Sequence, residues 1–212
     1  MEKELQKRIL SSFVLIPIAL FFIVKGTYYF DFFILICLSV SIYEWHYMSN
    51  RKEYKILGVI FLIFSFYSAY YFRNEFHGGY LYFIMILSIC VFTDIGGYVF
   101  GKFFIGPKLT KISPNKTYSG ALGGYLFSII FITLFFNYFN FVSVITNIET
   151  TGQELSFKNF ILTIFISTVS QFGDIVISYF KRKSKIKDTG KIIPGHGGLL
   201  DRIDGMIFAF PI

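Results

Sequence analysis

Apolar residues come in long runs that short polar segments separate. Six runs approach the roughly 20 residues that a helix needs to cross a bilayer: 9–24, 28–43, 56–72, 79–100, 121–136 and 160–180. A seventh begins near Gly205 and is too short by residue 212 to span alone. The pattern predicts an all-α, polytopic transmembrane protein with about six to seven membrane helices.

Lysine and arginine are concentrated in alternate polar segments. The N-terminus and the segments after the second, fourth and sixth runs hold 17 of the 20 Lys and Arg residues. The opposite side holds three, namely Lys25, Arg73 and Lys158. Because basic residues accumulate in cytoplasmic loops, this division predicts a cytoplasmic N-terminus. We expect a multi-pass protein of the cell (inner) membrane with its basic loops in the cytoplasm.

The composition excludes an ordinary soluble domain. Hydrophobic residues make up 54% of the chain and charged residues only 16%, against roughly 25% in soluble domains. Cys37 and Cys90 both lie in apolar runs, without the spacing of a metal site, so we interpret them as small buried residues. The net charge of +7 suits anionic partners.

Two aspartates lie inside apolar runs, where a charge costs about 2.5–3.5 kcal/mol near the bilayer centre. Asp94 is eight residues before Lys102, and Asp174 is seven before Lys181. At about 1.5 Å per residue, each carboxylate lies about 10–12 Å from a basic loop. This depth predicts a polar cavity that opens to the cytoplasm. The alternative is hydrogen bonding between helices, with Thr93, Ser170 and Gln171 as partners.

Polar residues recur at helical spacing in the sixth run: Ser170, Asp174, Ser178 and Lys181. Residues three or four apart share a helix face, so this row describes one wall of a polar site. By contrast, Asp31 and Glu44 lie near the ends of the second run. For these two acids, placement at the membrane interface is a sufficient explanation.

Two polar segments carry candidate chemistry. The segment 101–120 combines four lysines with the hydroxyls of Ser113, Thr117 and Ser119, so phosphate binding and contact with lipid headgroups both remain open. In the segment 178–204, Asp201 and Asp204 share a helix face and could hold divalent cations together with Asp174. His196, in G-H-G-G, could be a general acid, a phosphate donor or a turn residue.

At these residues the chain resembles the phosphatidate cytidylyltransferase, or CDP-diacylglycerol synthase, family. The C-terminal signature of that family is filled without a gap by Ser178, Lys181, Arg182, Lys187, Asp188, Pro194, His196, Gly197, Gly198, Asp201, Arg202 and Asp204. Q-F-G-D, which ends at Asp174, and S-P-N-K-T at 113–117 also resemble family motifs. Ser119 stands where the family usually has an acidic residue.

The resemblance implies transfer of a cytidylyl group from CTP to phosphatidic acid, which gives CDP-diacylglycerol and pyrophosphate. It implies Mg²⁺ on Asp174 and Asp201 with support from Asp204, and it leaves a second metal ion open. The implied catalytic residues are Asp174, Asp201, Lys181, Arg182 and His196. The implied substrate-binding residues are Asp94, Ser113, Lys116, Thr117, Ser178, Lys187, Asp188, Gly197, Gly198 and Arg202. The implied partners are CTP, phosphatidic acid and membrane lipid, and no nucleic acid.

We divide the chain into N-terminal scaffold helices, 1–78, and a catalytic membrane domain, 79–212, whose site faces the cytoplasm. The main alternative is a transporter or proton-coupled channel that uses Asp94 and Asp174 as a relay. Another phospholipid or polyprenyl-phosphate transferase and a non-catalytic scaffold also remain open. Clustering of the polar residues near one membrane face favours an interfacial enzyme. A homodimer is compatible with the sequence, which does not determine the oligomeric state.

Overall fold

The computed structural model describes residues 2–49, 52–75, 79–104, 106–110, 112–114, 116–146, 156–195 and 197–212. Their helices are α1 (Glu2–Lys25), α2 (Thr27–Met48), α3 (Lys55–Asn74), α4 (Gly79–Phe103), α5 (Tyr118–Thr146), α6 (Phe157–Lys183), α7 (Leu200–Ile203) and α8 (Met206–Ala209). In these ranges the only β-type pairing is two isolated bridges, Lys108 with Thr117 and Ile193 with Gly197. The predicted all-α class is therefore confirmed.

The membrane-spanning helices follow the apolar runs. Within the described ranges, five helices, α2 to α6, are long and apolar enough to cross a bilayer, and α1 contributes the shorter apolar segment Phe13–Lys25. The seventh run forms only the single-turn helix α8, and another single-turn helix, α7, precedes it on the other side of Gly205. A Cβ at Gly205 would lie 2.2 Å from Ser170 Oγ of α6, so α6 packs closely against this break. The polytopic class is confirmed; against the six to seven predicted spans, the described residues form five helices of full spanning length.

The surface of the helices is apolar, and a smaller apolar core lies between them. Phe13, Ile56 and Phe157 are each more than 70% exposed, as expected of side chains that face lipid rather than water. Phe30 and Ile89 are fully buried and join α2 and α4 in one core cluster. Apolar side chains thus lie both on the outer surface of the bundle and in the core between its helices.

Helices α4 and α5 pack closely, with backbone against backbone. A Cβ at Gly96 would lie 2.3 Å from the carbonyl oxygen of Gly123, and one at Gly123 would lie 2.6 Å from that of Gly96. Small residues of this kind let helix backbones approach in a membrane. Across the same bundle, Thr93 Oγ1 of α4 donates a hydrogen bond to Ser167 Oγ of α6 at 2.9 Å. Hydrogen bonding between these helices thus uses hydroxyls.

The two ends of the bundle differ in their contacts. At one end, Asn74 Nδ2 of α3 donates to Asp31 Oδ1 of α2 at 2.9 Å. At the other end, Ser11 Oγ of α1 donates to the carbonyl of Pro194 at 3.1 Å. The segments after α2, α4 and α6 meet at this second end, which is where the charge division places the basic loops. We call it the basic end.

Candidate active site

A basic loop between α4 and α5 folds back towards α6. Leu109 N donates to the carbonyl of Lys116 at 2.7 Å, and Tyr118 N donates to that of Pro107 at 3.1 Å. The turn carries the Lys116 ammonium to Asp174 of α6, with which it forms an ion pair. The two side chains are 24% and 25% exposed, so a solute can reach the pair from the basic end.

Three carboxyl groups from different parts of the chain come together at this ion pair. Asp204, at the end of α7, is in hydrogen-bond contact with Asp174, and both lie within electrostatic range of Asp94 of α4. Lys116 and Arg202 supply positive charge near Asp94. Two carboxyl groups in contact repel unless a proton or a cation lies between them. The arrangement therefore favours a positively charged partner.

A second ionic cluster surrounds Asp201. Lys181 Nζ donates to Asp201 Oδ1 at 2.8 Å, and both side chains are largely buried. Asp201 Oδ2 accepts from Thr189 N at 2.7 Å, Thr189 Oγ1 at 3.0 Å and Gly198 N at 3.0 Å. Burial acts to raise the pKa of Asp201, but the bonds from Lys181, Gly198 and Thr189 outweigh it and hold that pKa below its usual value.

Glu44 of α2 joins this cluster, although its position near a helix end suggested only an interfacial acid. That interpretation is wrong, because Glu44 is 1% exposed. Its Oε2 accepts from Thr189 Oγ1 and from Leu200 N, each at 2.9 Å, and its Oε1 accepts from Leu199 N at 2.8 Å. A helix from the predicted scaffold region thus contacts the signature segment directly.

The signature glycines lie against these carboxylates. Gly197 has φ +90°, which favours glycine, and a Cβ there would lie 2.8 Å from Asp201 Oδ2. A Cβ at Gly198 would lie 2.2 Å from Thr189 Oγ1 and 2.4 Å from Glu44 Oε2. Close approach of the backbone to carboxylates is therefore one reason for glycine at both positions. Their predicted role in binding substrate stays a prediction.

The hydroxyls before α5 have local partners. Thr117 Oγ1 accepts from Gly120 N at 3.1 Å, so Thr117 caps the N-terminus of α5. Ser119 Oγ donates to the carbonyl of Phe104 at 2.7 Å and stabilises the turn. Ser113 is half-buried and its N–H donates to Thr110 Oγ1 at 3.1 Å. A role of Ser113 or Thr117 in binding nucleotide stays a prediction.

The remaining predicted residues differ in their exposure. Ser178 is buried on α6, whereas Lys187, Asp188 and Arg202 are exposed. Arg182 is exposed beside a cavity of about 540 Å³. The residues that line this cavity are Ile112, Pro114, Tyr179, Arg182 and Lys183. His196 lies outside the described residues, so its predicted catalytic role stays a prediction.

The structure places the predicted metal ligands in both clusters. Asp174 and Asp204 are in contact, while Asp201 is held by Lys181, Thr189 and Gly198. Across the part of the chain that the structure describes, no group of three or more His, Cys, Asp or Glu side chains is arranged to hold a metal ion. The predicted set of three carboxylates therefore stays a prediction.

Comparison with known proteins decides the family. The sequence model of the Cytidylyltransferase family matches residues 6–77 and 56–212, which together cover nearly the whole chain. The chain belongs to the cytidylyltransferase family. Both clusters lie within the part of the chain that matches, Glu44 in the first matched segment and Asp174 in the second.

Named relatives agree with this assignment. A phosphatidate cytidylyltransferase of Rickettsia bellii is 34% identical over 222 residues, which cover 100% of this cytidylyltransferase-family chain and 90% of the relative. One of Staphylococcus saprophyticus is 32% identical over 185 residues, covering 84% of this chain and 66% of the relative. One of Rickettsia prowazekii reaches 42% over 135 residues, covering 62% of this chain and 54% of the relative.

Proposed function

We propose that this protein transfers the CMP moiety of CTP to phosphatidic acid and produces CDP-diacylglycerol and pyrophosphate. The observation that carries the proposal is the contact of Lys116 and Asp174 beside Asp204. It unites the loop before α5, the middle of α6 and the C-terminal signature at the basic end of a membrane protein. Relatives with the printed name phosphatidate cytidylyltransferase support the choice of reaction.

The chemistry suits a site made of cations and carboxylates. An oxygen of the phosphatidate headgroup attacks the α-phosphorus of CTP. The bond from that phosphorus to the oxygen bridging to the β-phosphate breaks, and pyrophosphate leaves with the electron pair. The nucleophile is already anionic, so no strong general base is required. The barrier comes mainly from repulsion between two polyanions, which cations lower by electrostatic stabilisation and positioning.

Lysines are already in place for that role. Lys116 pairs with Asp174, and Lys181 pairs with Asp201. We infer that each ammonium exchanges its carboxylate oxygen for a phosphate oxygen when substrate binds. Arg182 is exposed beside the cavity of about 540 Å³, where we infer that it binds the lipid phosphate. Arg202, near Asp94, is the further cation for the nucleotide side.

Magnesium fits the donor chemistry of the same carboxylates. Mg²⁺ prefers carboxylate and phosphate oxygens and is usually held by one or two carboxylates together with substrate phosphates. Asp174 and Asp204, in contact with each other, offer such a pair, and Asp201 is the further predicted ligand. Bound there, the ion would neutralise phosphate charge.

The location follows from the same geometry. We infer that the basic end faces the cytoplasm of a cell whose inner membrane holds the protein, because 17 of 20 Lys and Arg residues lie in segments at that end. CTP then reaches the site from the cytoplasm and the lipid from within the bilayer. A transporter is not favoured, since buried polar contacts along the bundle, such as Thr93 with Ser167, join helices to each other.

A direct assay tests the proposal. Purified full-length protein in mixed micelles with phosphatidic acid and Mg²⁺ receives CTP labelled at the α-phosphate, and lipid-extracted label is measured. We expect labelled CDP-diacylglycerol, and no lipid label from CTP labelled at the γ-phosphate. Omitting phosphatidic acid controls for transfer to other acceptors. Chelation of Mg²⁺ should stop the reaction, and adding it back should restore it. A folded preparation that makes no CDP-lipid would refute the proposal.

A further inference from the structure

The buried Glu44 carboxylate belongs to a chain of contacts that joins α2, α7 and α6 at the basic end. It accepts three hydrogen bonds: from Thr189 Oγ1, Leu199 N and Leu200 N. Thr189 Oγ1 also lies 3.0 Å from Asp201 Oδ2, and Asp201 Oδ1 binds Lys181 Nζ at 2.8 Å. The chain of contacts therefore runs from α2 through residue 189 to α7 and on to α6.

We propose that Glu44 is a positioning residue for the reaction. It fastens Thr189, Leu199 and Leu200 to α2 and so sets Asp201 in its place beside Lys181 of α6. The proposal rests on the cytidylyl transfer proposed above. Glu44 itself touches neither substrate nor the reacting atoms, because it is enclosed by the segment that it holds.

A carboxylate is required at this position by hydrogen-bond counting. Both backbone N–H groups, of Leu199 and Leu200, can only donate, so both Glu44 oxygens must accept. A glutamine has the same shape but only one acceptor oxygen. Its amide NH₂ would face at least one backbone N–H, and a buried donor would lose its partner. Glu44→Gln therefore changes the hydrogen bonding and leaves the packing volume almost unchanged.

Thr189 is the link between the two carboxylates. Its hydroxyl has one proton and stands 2.9 Å from Glu44 Oε2 and 3.0 Å from Asp201 Oδ2. Each of these oxygens also accepts from a backbone N–H: Leu200 N at Glu44, and Thr189 N and Gly198 N at Asp201. The hydroxyl can therefore donate to either oxygen without leaving the other empty. Removing it takes away a group that contacts both carboxylates.

The backbone at Gly190 and Gly198 packs closely against the Glu44 carboxylate. A Cβ at Gly190 would lie 2.7 Å from Glu44 Oε1, and one at Gly198 would lie 2.4 Å from Glu44 Oε2. The segment thus wraps the carboxylate with backbone on two sides. Loosening this contact should displace Lys181 and Asp201. A shift of about 1 Å at a catalytic group can cost about 10²-fold in rate.

The test uses full-length protein with phosphatidic acid, CTP and Mg²⁺, and it compares E44Q with D31N. Asp31 is a matched control, because it is an acid of the same helix α2 that also accepts a side-chain hydrogen bond, but at the opposite end. We expect E44Q to lower kcat/KM for CTP by about 10- to 100-fold. D31N should stay within about twofold of wild type.

Amide hydrogen exchange on the same preparations separates positioning from general stability. Glu44 accepts from the N–H groups of Leu199 and Leu200, and Asp201, which the Thr189 hydroxyl links to Glu44, accepts from those of Thr189 and Gly198. E44Q should therefore speed exchange at residues 189 and 198–200. Peptides from α4, α5 and α6 should exchange as in wild type. Faster exchange throughout those helices would make Glu44 a general stability residue and would overturn the proposal.

A second pair of variants covers the case in which E44Q does not fold. T189V removes the linking hydroxyl with little change of shape, while T189S keeps it. We expect kcat/KM of T189V to fall about tenfold below that of T189S; equal values would overturn the proposal. If wild type and E44Q are equally active, the positioning role of Glu44 is overturned and the proposed function stands. A wild type that makes no CDP-lipid would refute the proposed function, and this inference with it.

Discussion

Lys116 forms an ion pair with Asp174 across the gap between the loop before α5 and the middle of α6. The two residues are 58 positions apart in sequence. Their contact depends on the close approach of α4 and α5 and on the turn that returns the chain from Pro107 to Tyr118. Because Asp204 touches Asp174 as well, this pair is the point at which three polar segments meet.

The first prediction concerns Asp174. Asp174→Asn removes the charge that Lys116 and a bound metal would share, so we expect product formation to fall by about 10²- to 10³-fold. The assay is CDP-lipid formation by equal amounts of folded protein. Asp31→Asn is the matched control, because it makes the same chemical change at the opposite end of the bundle. Full activity in Asp174→Asn would refute both the metal assignment and the role of this ion pair.

The second prediction concerns the pair of Asp201 and Lys181. Both side chains are largely buried, so removing one partner strands the other, at a cost of about 3–5 kcal/mol. We expect Asp201→Asn to lower thermal stability in detergent more than the double change Asp201→Asn with Lys181→Met, which strands no charge. The single variants Asp201→Asn and Lys181→Met and the double variant should all lose CDP-lipid formation. Additive effects of the two single changes on stability would contradict a direct pair.

The third prediction compares two neighbouring glycines of α4. A Cβ at Gly96 would lie 2.3 Å from the backbone oxygen of Gly123, whereas one at Gly97 would lie 3.6 Å from that of Gly120. Gly96→Ala should therefore push α4 and α5 apart, while Gly97→Ala fits at ordinary contact distance. We expect a loss of about 1–3 kcal/mol for the first variant and little change for the second. Thermal unfolding in detergent measures both, and equal melting temperatures would contradict the packing.

The fourth prediction concerns orientation in the membrane. Lys187 lies in the basic segment after α6, and Lys158 lies at the start of α6, at the opposite end. In a background without Cys37 and Cys90, a membrane-impermeant maleimide added to intact spheroplasts should label Lys158→Cys and spare Lys187→Cys. Permeabilised cells should label both. The reverse pattern in intact spheroplasts would refute the cytoplasmic location of the basic end.

Several features of the site could be predicted from local sequence. Ser170, Asp174, Ser178 and Lys181 do lie on a helix, and Ser170 and Ser178 are buried while Asp174 and Lys181 are partly covered, as one inward face requires. The spacing was sufficient because helical periodicity is a local property. Sequence could not show which carboxylates meet, since Asp204 contacts Asp174 while Asp201 turns to Lys181.

Other features had no local signal. In the sequence, Glu44 is a single acid at the end of an apolar run. Its hydrogen-bond partners, Thr189, Leu199 and Leu200, lie 145 to 156 residues later. Two of those partners are backbone N–H groups, which every residue except proline carries. The division into a scaffold, 1–78, and a catalytic domain, 79–212, stays a prediction, although Glu44 links the two parts.

The sequence by itself determined the apolar helices, the polytopic class and the concentration of basic residues in alternate segments. Hydropathy and charge act on each segment separately when it meets a bilayer, so they can be read without knowing its neighbours. Only the tertiary structure decided that Lys116 meets Asp174 and that Glu44 holds Thr189, Leu199 and Leu200. Those contacts depend on how closely the helices pack and on which backbone donors a buried carboxylate must satisfy, and both are properties of the assembled bundle.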